Sequence, residues 1–357
     1  MPKPNSLKGR PVLVTGGTGF IGARLVERLM EEGAKVTLAV RDPARAKRTA
    51  GLGVTLRQVD LTRPAEVAAV AAGQEVVFSL AYDIRRSGAA NLKVHKTVAG
   101  ACEAAGVQRF IHVGSIAAYD GWPTADLNEA SPKDGPGHEY KIAKVAIEKD
   151  LAARKMAYVV IEPTIVYGPH SSQWTDLFLE AFRAGSVELP RQGIGQCNGV
   201  FIDDLADALI LAAITPEAAR GTFIVSGPAP FAWKDLIEGY GAMLGKGVDY
   251  VDAAPGEGGG SGDPMAIFAS KPVQRVVGLV RDVVGADRVE ALRRKVMSLR
   301  GAAGPAVFRP TAGNAALYAQ GTCSIDKARA VLGYAPKVDL AEGLKRTGLY
   351  ARERYGA

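Results

Sequence analysis

The chain has 357 residues, 47% of them hydrophobic and 23% charged, a balance that suits a globular fold and excludes disordered and fibrous classes. Forty-four lysines and arginines against 37 aspartates and glutamates leave a net charge of +7. That excess is compatible with nucleic acid, an anionic surface or a phosphorylated ligand, and no motif in the chain points to nucleic acid.

The first half alternates β-branched runs with helical patterns. Strands are predicted at Pro11–Thr15, Lys35–Val40, Val54–Val59, Glu75–Leu80, Arg109–Gly114 and Tyr158–Glu162. Short, continuously apolar runs of this kind suit strands buried on both faces of a parallel sheet. Helices are predicted between them at Gly19–Glu32, Ala65–Ala72, Asn91–Ala105 and His138–Lys155, the first three ending at Gly33, Gly73 and Gly106. The alternation implies an α/β fold, a doubly wound parallel Rossmann sheet with right-handed crossovers.

After residue 163 the pattern loosens. Helices are expected at Trp174–Ala184, Asp203–Ile214 and Trp233–Leu244, with strand-like pieces at Val187–Leu189 and Thr222–Val225. Gly256–Gly262 reads as a flexible loop. Valines at 273, 276, 277, 280, 283 and 284 follow helical spacing, and Val289, Leu292, Val296 and Leu299 continue it among arginines. The 273–299 stretch is open to three readings: core packing, a lid over an apolar substrate, or peripheral contact with a membrane. The expected organisation is a dinucleotide-binding unit over 1–165, with segments of about 195–230 returning to it. A smaller, interleaved C-terminal substrate-binding region spans 166–357. Apolar runs such as Ala208–Ile214 are too short to cross a bilayer, and Met1–Arg10 lacks a signal-peptide pattern. Cys102, Cys197 and Cys323 lie far apart, giving neither a disulfide framework nor a metal site, and a cytoplasmic location is expected. His95, His112 and His138 show no metal-ligand spacing either.

The first strand runs into Thr15-Gly16-Gly17-Thr18-Gly19-Phe20-Ile21-Gly22, and a helical pattern follows. At a strand-to-helix turn this spacing has a mechanism. Gly16 allows the tight turn, Gly19 lets backbone approach a pyrophosphate, and Gly22 lets helix and strand pack closely. Thr18, Phe20 and Ile21 complete the loop, and the helix N-terminus offers free N–H donors to phosphate. Tyr140 and Lys144 stand four residues apart at the start of a predicted helix, on one face. A free phenol, with a pKa of about 10, is a poor acid–base catalyst at neutral pH, and an adjacent ammonium stabilises the phenolate. Ser115 ends the fifth strand, where ligand crevices of parallel sheets open.

These motifs resemble those of the extended short-chain dehydrogenase/reductase family, also called the NAD-dependent epimerase/dehydratase family. The resemblance runs through Val59-Asp60-Leu61, Phe78–Ala81, Phe110–Ser115, Tyr140–Lys144, Glu162–Pro169, Phe201–Ala206 and the tail Ser324–Leu344, and lapses around 245–320. It implies a Ser115–Tyr140–Lys144 triad. Ser115 would bind the substrate oxygen, Tyr140 would exchange its proton, and Lys144 would also hold the nicotinamide ribose. It further implies that Asp60 and Leu61 meet the adenine, and that Leu80, Ala81, Pro163, Thr164, Ile165 and Val166 line the cofactor. In family register the position that carries an acid in NAD enzymes is Val40, followed by Arg41. Arg41, with Arg45 or Lys47 assisting, could pair with a 2′-phosphate, so NADP(H) is expected in preference to NAD(H). Asp42, next to Arg41, could still reach the ribose.

Two positions depart from the family pattern. Gly114 stands where a serine often precedes the triad serine, and Glu162 stands where an arginine often precedes Pro-Thr. The asparagine and arginine that bind the diphosphate of nucleotide-sugars in many relatives are here Ile165 and Cys197. Neither can make those contacts. The expected activity is therefore ketone–alcohol interconversion on a weakly polar small molecule, as in branches resembling 3β-hydroxysteroid dehydrogenases and dihydroflavonol reductases. The alternatives are a nucleotide-sugar epimerase, dehydratase or reductase, and a dinucleotide sensor without catalysis. A second copy of the chain is a candidate partner.

Overall fold

The computed structural model describes residues 6–192, 194–252, 306–308 and 315–356. The Gly-rich loop 256–262 and the valine-rich stretch 273–299 lie outside the described residues.

Strands β1 (Pro11–Thr15), β2 (Lys35–Val40), β4 (Val76–Ser79), β5 (Arg109–Val113) and β6 (Tyr158–Pro163) are mostly buried, while β3 (Thr55–Gln58) is an exposed edge strand. A later strand, Gly221–Val225, completes a seven-stranded parallel sheet in the order Gly221–Val225, β6, β5, β4, β1, β2, β3. The chain reverses its direction of sheet growth between β1 and β4, which opens a crevice beyond the carboxyl ends of those strands. Strand alternation divides the core. Val12 and Val14 face one layer with α1 (Phe20–Glu31), while Leu13 faces the other with α2 (Pro64–Ala71), α3 (Gly88–Ala104) and α4 (Glu139–Ala153).

Differences from the predicted elements have local causes. Helix α3 starts at Gly88 and not at Asn91, because the Ser87 hydroxyl accepts the Ala90 N–H and caps it. His138 is the cap of α4 and not its first residue; its Nδ1 accepts the Lys141 N–H at 3.2 Å. The expected helix at Trp174–Ala184 is a wide turn, Ser172–Asp176, followed by α5 (Leu177–Ala184). In that turn Thr175 accepts the Gly168 N–H and meets the Tyr240 hydroxyl at 2.9 Å.

The second half adds β7 (Ile165–Tyr167), β8 (Gly185–Pro190), β9 (Gln196–Cys197) and β10 (Gly199–Phe201), then α6 (Ile202–Ile214) and β11, the Gly221–Val225 strand. Next come β12 (Phe231–Ala232), α7 (Trp233–Met243), β13 (Asp249–Val251), β14 (Ala306–Phe308) and α8 (Leu340–Tyr355), a helix the apolar pattern did not announce. β7 pairs with β10, β9 with β12, and β8 with both β13 and β14. The Phe201–Ala206 motif has a structural task here. Asp204 is buried and accepts the N–H groups of Lys337 and Val338, both at 3.0 Å, pinning the tail to α6. Among the described residues no helix is long and apolar enough to cross a membrane.

Candidate active site

The glycine loop between β1 and α1 is as tight as backbone permits. Gly16 has φ +75°, and a Cβ there would stand 2.7 Å from Ala81 N and 2.8 Å from Leu80 C. A Cβ on Gly22 would stand 2.3 Å from the Gly16 carbonyl oxygen, so the first turn of α1 sits directly on the loop. Gly19 occupies the cap position of α1 without any side-chain cap, and the first turn carries no acidic residue. The N–H groups of that turn, at Phe20, Ile21 and Gly22, are thus left to a ligand, as a pyrophosphate requires. Leu80 and Ala81 follow β4 on the other side of the crevice, with Leu80 N donating to Thr15 O at 3.2 Å. These residues fit a dinucleotide.

Beyond β2, Arg41 is 60% exposed and Arg45 lies in the short turn Pro43–Arg45. Asp42 is spent locally: its Oδ1 accepts the Ala44 N–H at 3.0 Å and caps that turn. An Arg41 nitrogen lies 3.9 Å from Asp83, whose carboxyl is held low, against burial, by Arg85 and then by Arg41. The Asp60 carboxylate accepts the Thr62 N–H and hydroxyl at 2.9 and 2.7 Å, which hold it below the usual carboxylate range. Leu61 packs half-buried beside it.

The three residues expected to form the triad stand just after β5 and in the first turns of α4. Lys144 is buried, and its Nζ donates to the carbonyl of Val113 at 2.8 Å, two residues before Ser115. The Tyr140 ring centre lies 5.5 Å from the same Nζ. Ser115 caps the short turn Ile116–Ala118, its Oγ accepting the Ala117 N–H at 3.2 Å. The sequence reading missed Tyr82. Its ring centre is 4.6 Å from Lys144 Nζ and 5.3 Å, edge-on, from the Tyr140 ring. Burial, then Tyr140 and Glu139, push the Tyr82 hydroxyl up. Only its place just after Phe78–Ala81 hinted at this.

Pro163 ends β6, and Thr164, Ile165 and Val166 are buried beside it. The Thr164 hydroxyl meets Ser226 Oγ at 3.2 Å and Val225 O at 3.3 Å. Ile165 pairs with Gly199, and Cys197 is 1% exposed in the core. Arg191 is paired with Asp252 at 2.9 Å. Ser226 also borders a cavity of about 320 Å³ with Asn198, Thr322 and Arg329; none of the glycine-loop or triad residues lines it. His95 and His112 pack edge-on at 5.3 Å behind the sheet, where burial pushes His95 down to about 4. Among the described residues no cluster of three or more metal-ligating side chains occurs.

The sequence profile of the NAD dependent epimerase/dehydratase family matches residues 12–226. A 2-alkyl-3-oxoalkanoate reductase of Shewanella oneidensis is 25% identical over 63% of this chain and 63% of its own. A protein of the same name from Stenotrophomonas maltophilia is 27% identical over 94% of this chain and 97% of its own. Dihydroflavonol 4-reductase of Arabidopsis thaliana is 31% identical over 60% of this chain and 65% of its own. Among solved structures, the epimerase Mth375 of Methanothermobacter thermautotrophicus superposes with a TM-score of 0.72 at 17% identity, covering 98% of this chain and 94% of that one. That likeness is one of fold.

Proposed function

Because the chain belongs to the NAD-dependent epimerase/dehydratase family, whose members are NAD(P)-dependent enzymes of the extended short-chain dehydrogenase/reductase type, we propose that it interconverts a ketone and a secondary alcohol on a weakly polar substrate. We propose NADP(H) as the preferred cofactor. The observation that carries the choice of reaction is the apolar burial of Ile165 and Cys197, the positions at which nucleotide-sugar enzymes present a diphosphate clamp. The oxoalkanoate and dihydroflavonol reductases among the relatives support the same reading.

The dinucleotide would rest on the N–H groups of Phe20, Ile21 and Gly22 with Leu80 and Ala81 opposite, and Arg41 and Arg45 would face its adenosine end. When bound, its nicotinamide supplies or takes up the hydride. Everything else falls to the protein. Accepting from Ala117 leaves Ser115 its own proton, to donate to the substrate oxygen. Tyr140 gives that oxygen its proton in reduction and removes it in oxidation. An ammonium has three donors, and Lys144 commits one to Val113. The other two remain for the ribose hydroxyls and the Tyr140 oxygen, where positive charge stabilises a phenolate.

A panel of hydrophobic ketones, assayed by NADPH oxidation beside UDP- and GDP-sugars, tests the proposal. Turnover of ketones, with no thermal stabilisation by millimolar UDP, GDP or their sugars, is expected. Clear stabilisation by any of these nucleotides would transfer the chain to the epimerase or dehydratase reading, since a ligand that binds the native state must raise its melting temperature.

A further inference from the structure

Glu162 is fully buried at the end of β6, and none of the chemistry above uses it. Its Oε2 accepts the Tyr119 hydroxyl at 2.6 Å, and its Oε1 accepts Lys133 Nζ at 2.5 Å. The same Nζ donates to Glu148 at 2.7 Å and stands 4.2 Å from the centre of the Tyr119 ring. Each of the four comes from a different element. Tyr119 closes the turn that Ser115 opens, and Lys133 lies in the loop leading to α4. Glu148 lies one helical turn beyond Lys144, and Glu162 directly precedes Pro163–Val166.

The two departures from the family pattern meet here. A Cβ on Gly114 would come 2.9 Å from Glu162 Cγ and 3.3 Å from Glu148 Oε1. The residue before Ser115 therefore cedes its side-chain volume to the carboxylate that occupies the arginine position. A fully buried acid beside a second, partly buried one is costly unless a cation lies between them. Lys133 lies between the two carboxyls and, with the Tyr119 hydroxyl, gives both Glu162 oxygens a partner, leaving Glu148 Oε1 alone without one; directional bonds of this kind fix a geometry that an apolar contact could let slide.

We infer that Tyr119, Lys133, Glu148 and Glu162 form a positioning cluster that sets the Ser115 turn against the Tyr140–Lys144 helix. None of the four is a catalytic residue. The kinetic consequence rests on the proposed ketone–alcohol chemistry; the geometric one does not.

Three variants separate positioning from bulk stability. Glu162→Leu keeps volume but accepts no hydrogen bond, Tyr119→Phe removes one hydroxyl, and Glu162→Gln still accepts from Tyr119. Misplacement of a reacting group is costly, so kcat is expected to fall on the order of tenfold or more in Glu162→Leu and Tyr119→Phe. NADPH affinity, read by cofactor fluorescence, should hold, and Glu162→Gln should recover most of kcat. In the folded protein, amide exchange at Ala117, Ala118 and Tyr119 should quicken in Glu162→Leu and not in Glu162→Gln. Unchanged kcat in Glu162→Leu, or a kcat loss matched in Glu162→Gln, overturns the inference. Should Glu162→Leu fail to fold, Tyr119→Phe alone decides by the same two readouts. If the wild type turns over no carbonyl compound, the oxidoreductase reading falls; the exchange rates then judge the cluster, and unaltered protection at 117–119 overturns it.

Discussion

Beyond β2 the crevice is lined by exposed charge: Arg41 is 60% exposed, and the carboxylates of Asp42 and Asp60 are bound to neighbouring backbone. Beyond β5 and β6 the polar groups are buried and bonded across elements, Lys144 to Val113 and Glu162 to Tyr119 and Lys133. The contrast follows from what each end must do. Exposed cations select among ligands by modest, salt-screened attractions. Buried groups fix reacting atoms relative to one another, where a small displacement has a large kinetic cost. Substitutions at the buried end should therefore act on rate, and those at the exposed end on affinity and preference.

The largest effect is expected at Tyr140. Tyr140→Phe removes only the transferable proton, so turnover should drop by roughly two orders of magnitude or more while NADPH still binds. Steady-state kinetics beside a fluorescence titration check this, and an active variant would dissolve the triad. Lys144→Met should damage both quantities, because the lysine serves the ribose as well.

Between the two ends lies the glycine loop. In Gly22→Ala the new methyl meets the Gly16 carbonyl, which is backbone and cannot swing aside. Cofactor affinity should fall on the order of tenfold, about 1.4 kcal/mol, with a smaller change in kcat at saturating cofactor. Titration calorimetry reads the difference; equal affinity would mean that the loop does not carry the phosphates.

A smaller effect concerns pH. Burial, then Glu148, raise the Glu162 carboxyl from its ordinary 4.5 to about 8, against Lys133 and the Tyr119 hydroxyl. The folded chain holds this proton more tightly than the unfolded one. Its contribution to stability is complete below about 4.5 and is lost as pH rises through about 8. The melting temperature of Glu162→Gln relative to wild type should accordingly rise between pH 5 and 8. Parallel curves would show that the carboxyl does not titrate in that range.

The smallest effect belongs to Arg41. Arg41→Ala should reduce the preference for NADPH over NADH several-fold, about 1 kcal/mol, at low ionic strength and less in high salt. Paired titrations at two salt concentrations suffice, and a salt-independent preference would place its source elsewhere.

What could be read from the sequence divides along the same line. β1 and β2 are bounded as their β-branched runs predict, and the other sheet strands of the first half are displaced by a residue or so at one or both ends. Continuous apolar runs have few ways to pair in a parallel sheet. The glycine spacing and the Tyr140–Lys144 pair were legible because each is a local motif on one element. The cluster around Glu162 was not, because Lys133 and Glu162 lie 29 residues apart and meet only through the fold. Tyr82 escaped notice for the same reason: its partners Tyr140 and Lys144 are on another element. After residue 163, β7, β9, β10, β12, β13 and β14 have two or three residues each, too few to show a period.

Transfer of deuterium from 4-deuterated NADPH to a panel of hydrophobic ketones, with the Tyr140→Phe variant alongside, reads hydride delivery to a carbonyl carbon itself. One deuterium is expected on the carbinol carbon of the product from the wild type, and at most traces from the variant. No incorporation from any ketone, together with conversion of a UDP- or GDP-sugar, would contradict the proposed ketone–alcohol chemistry.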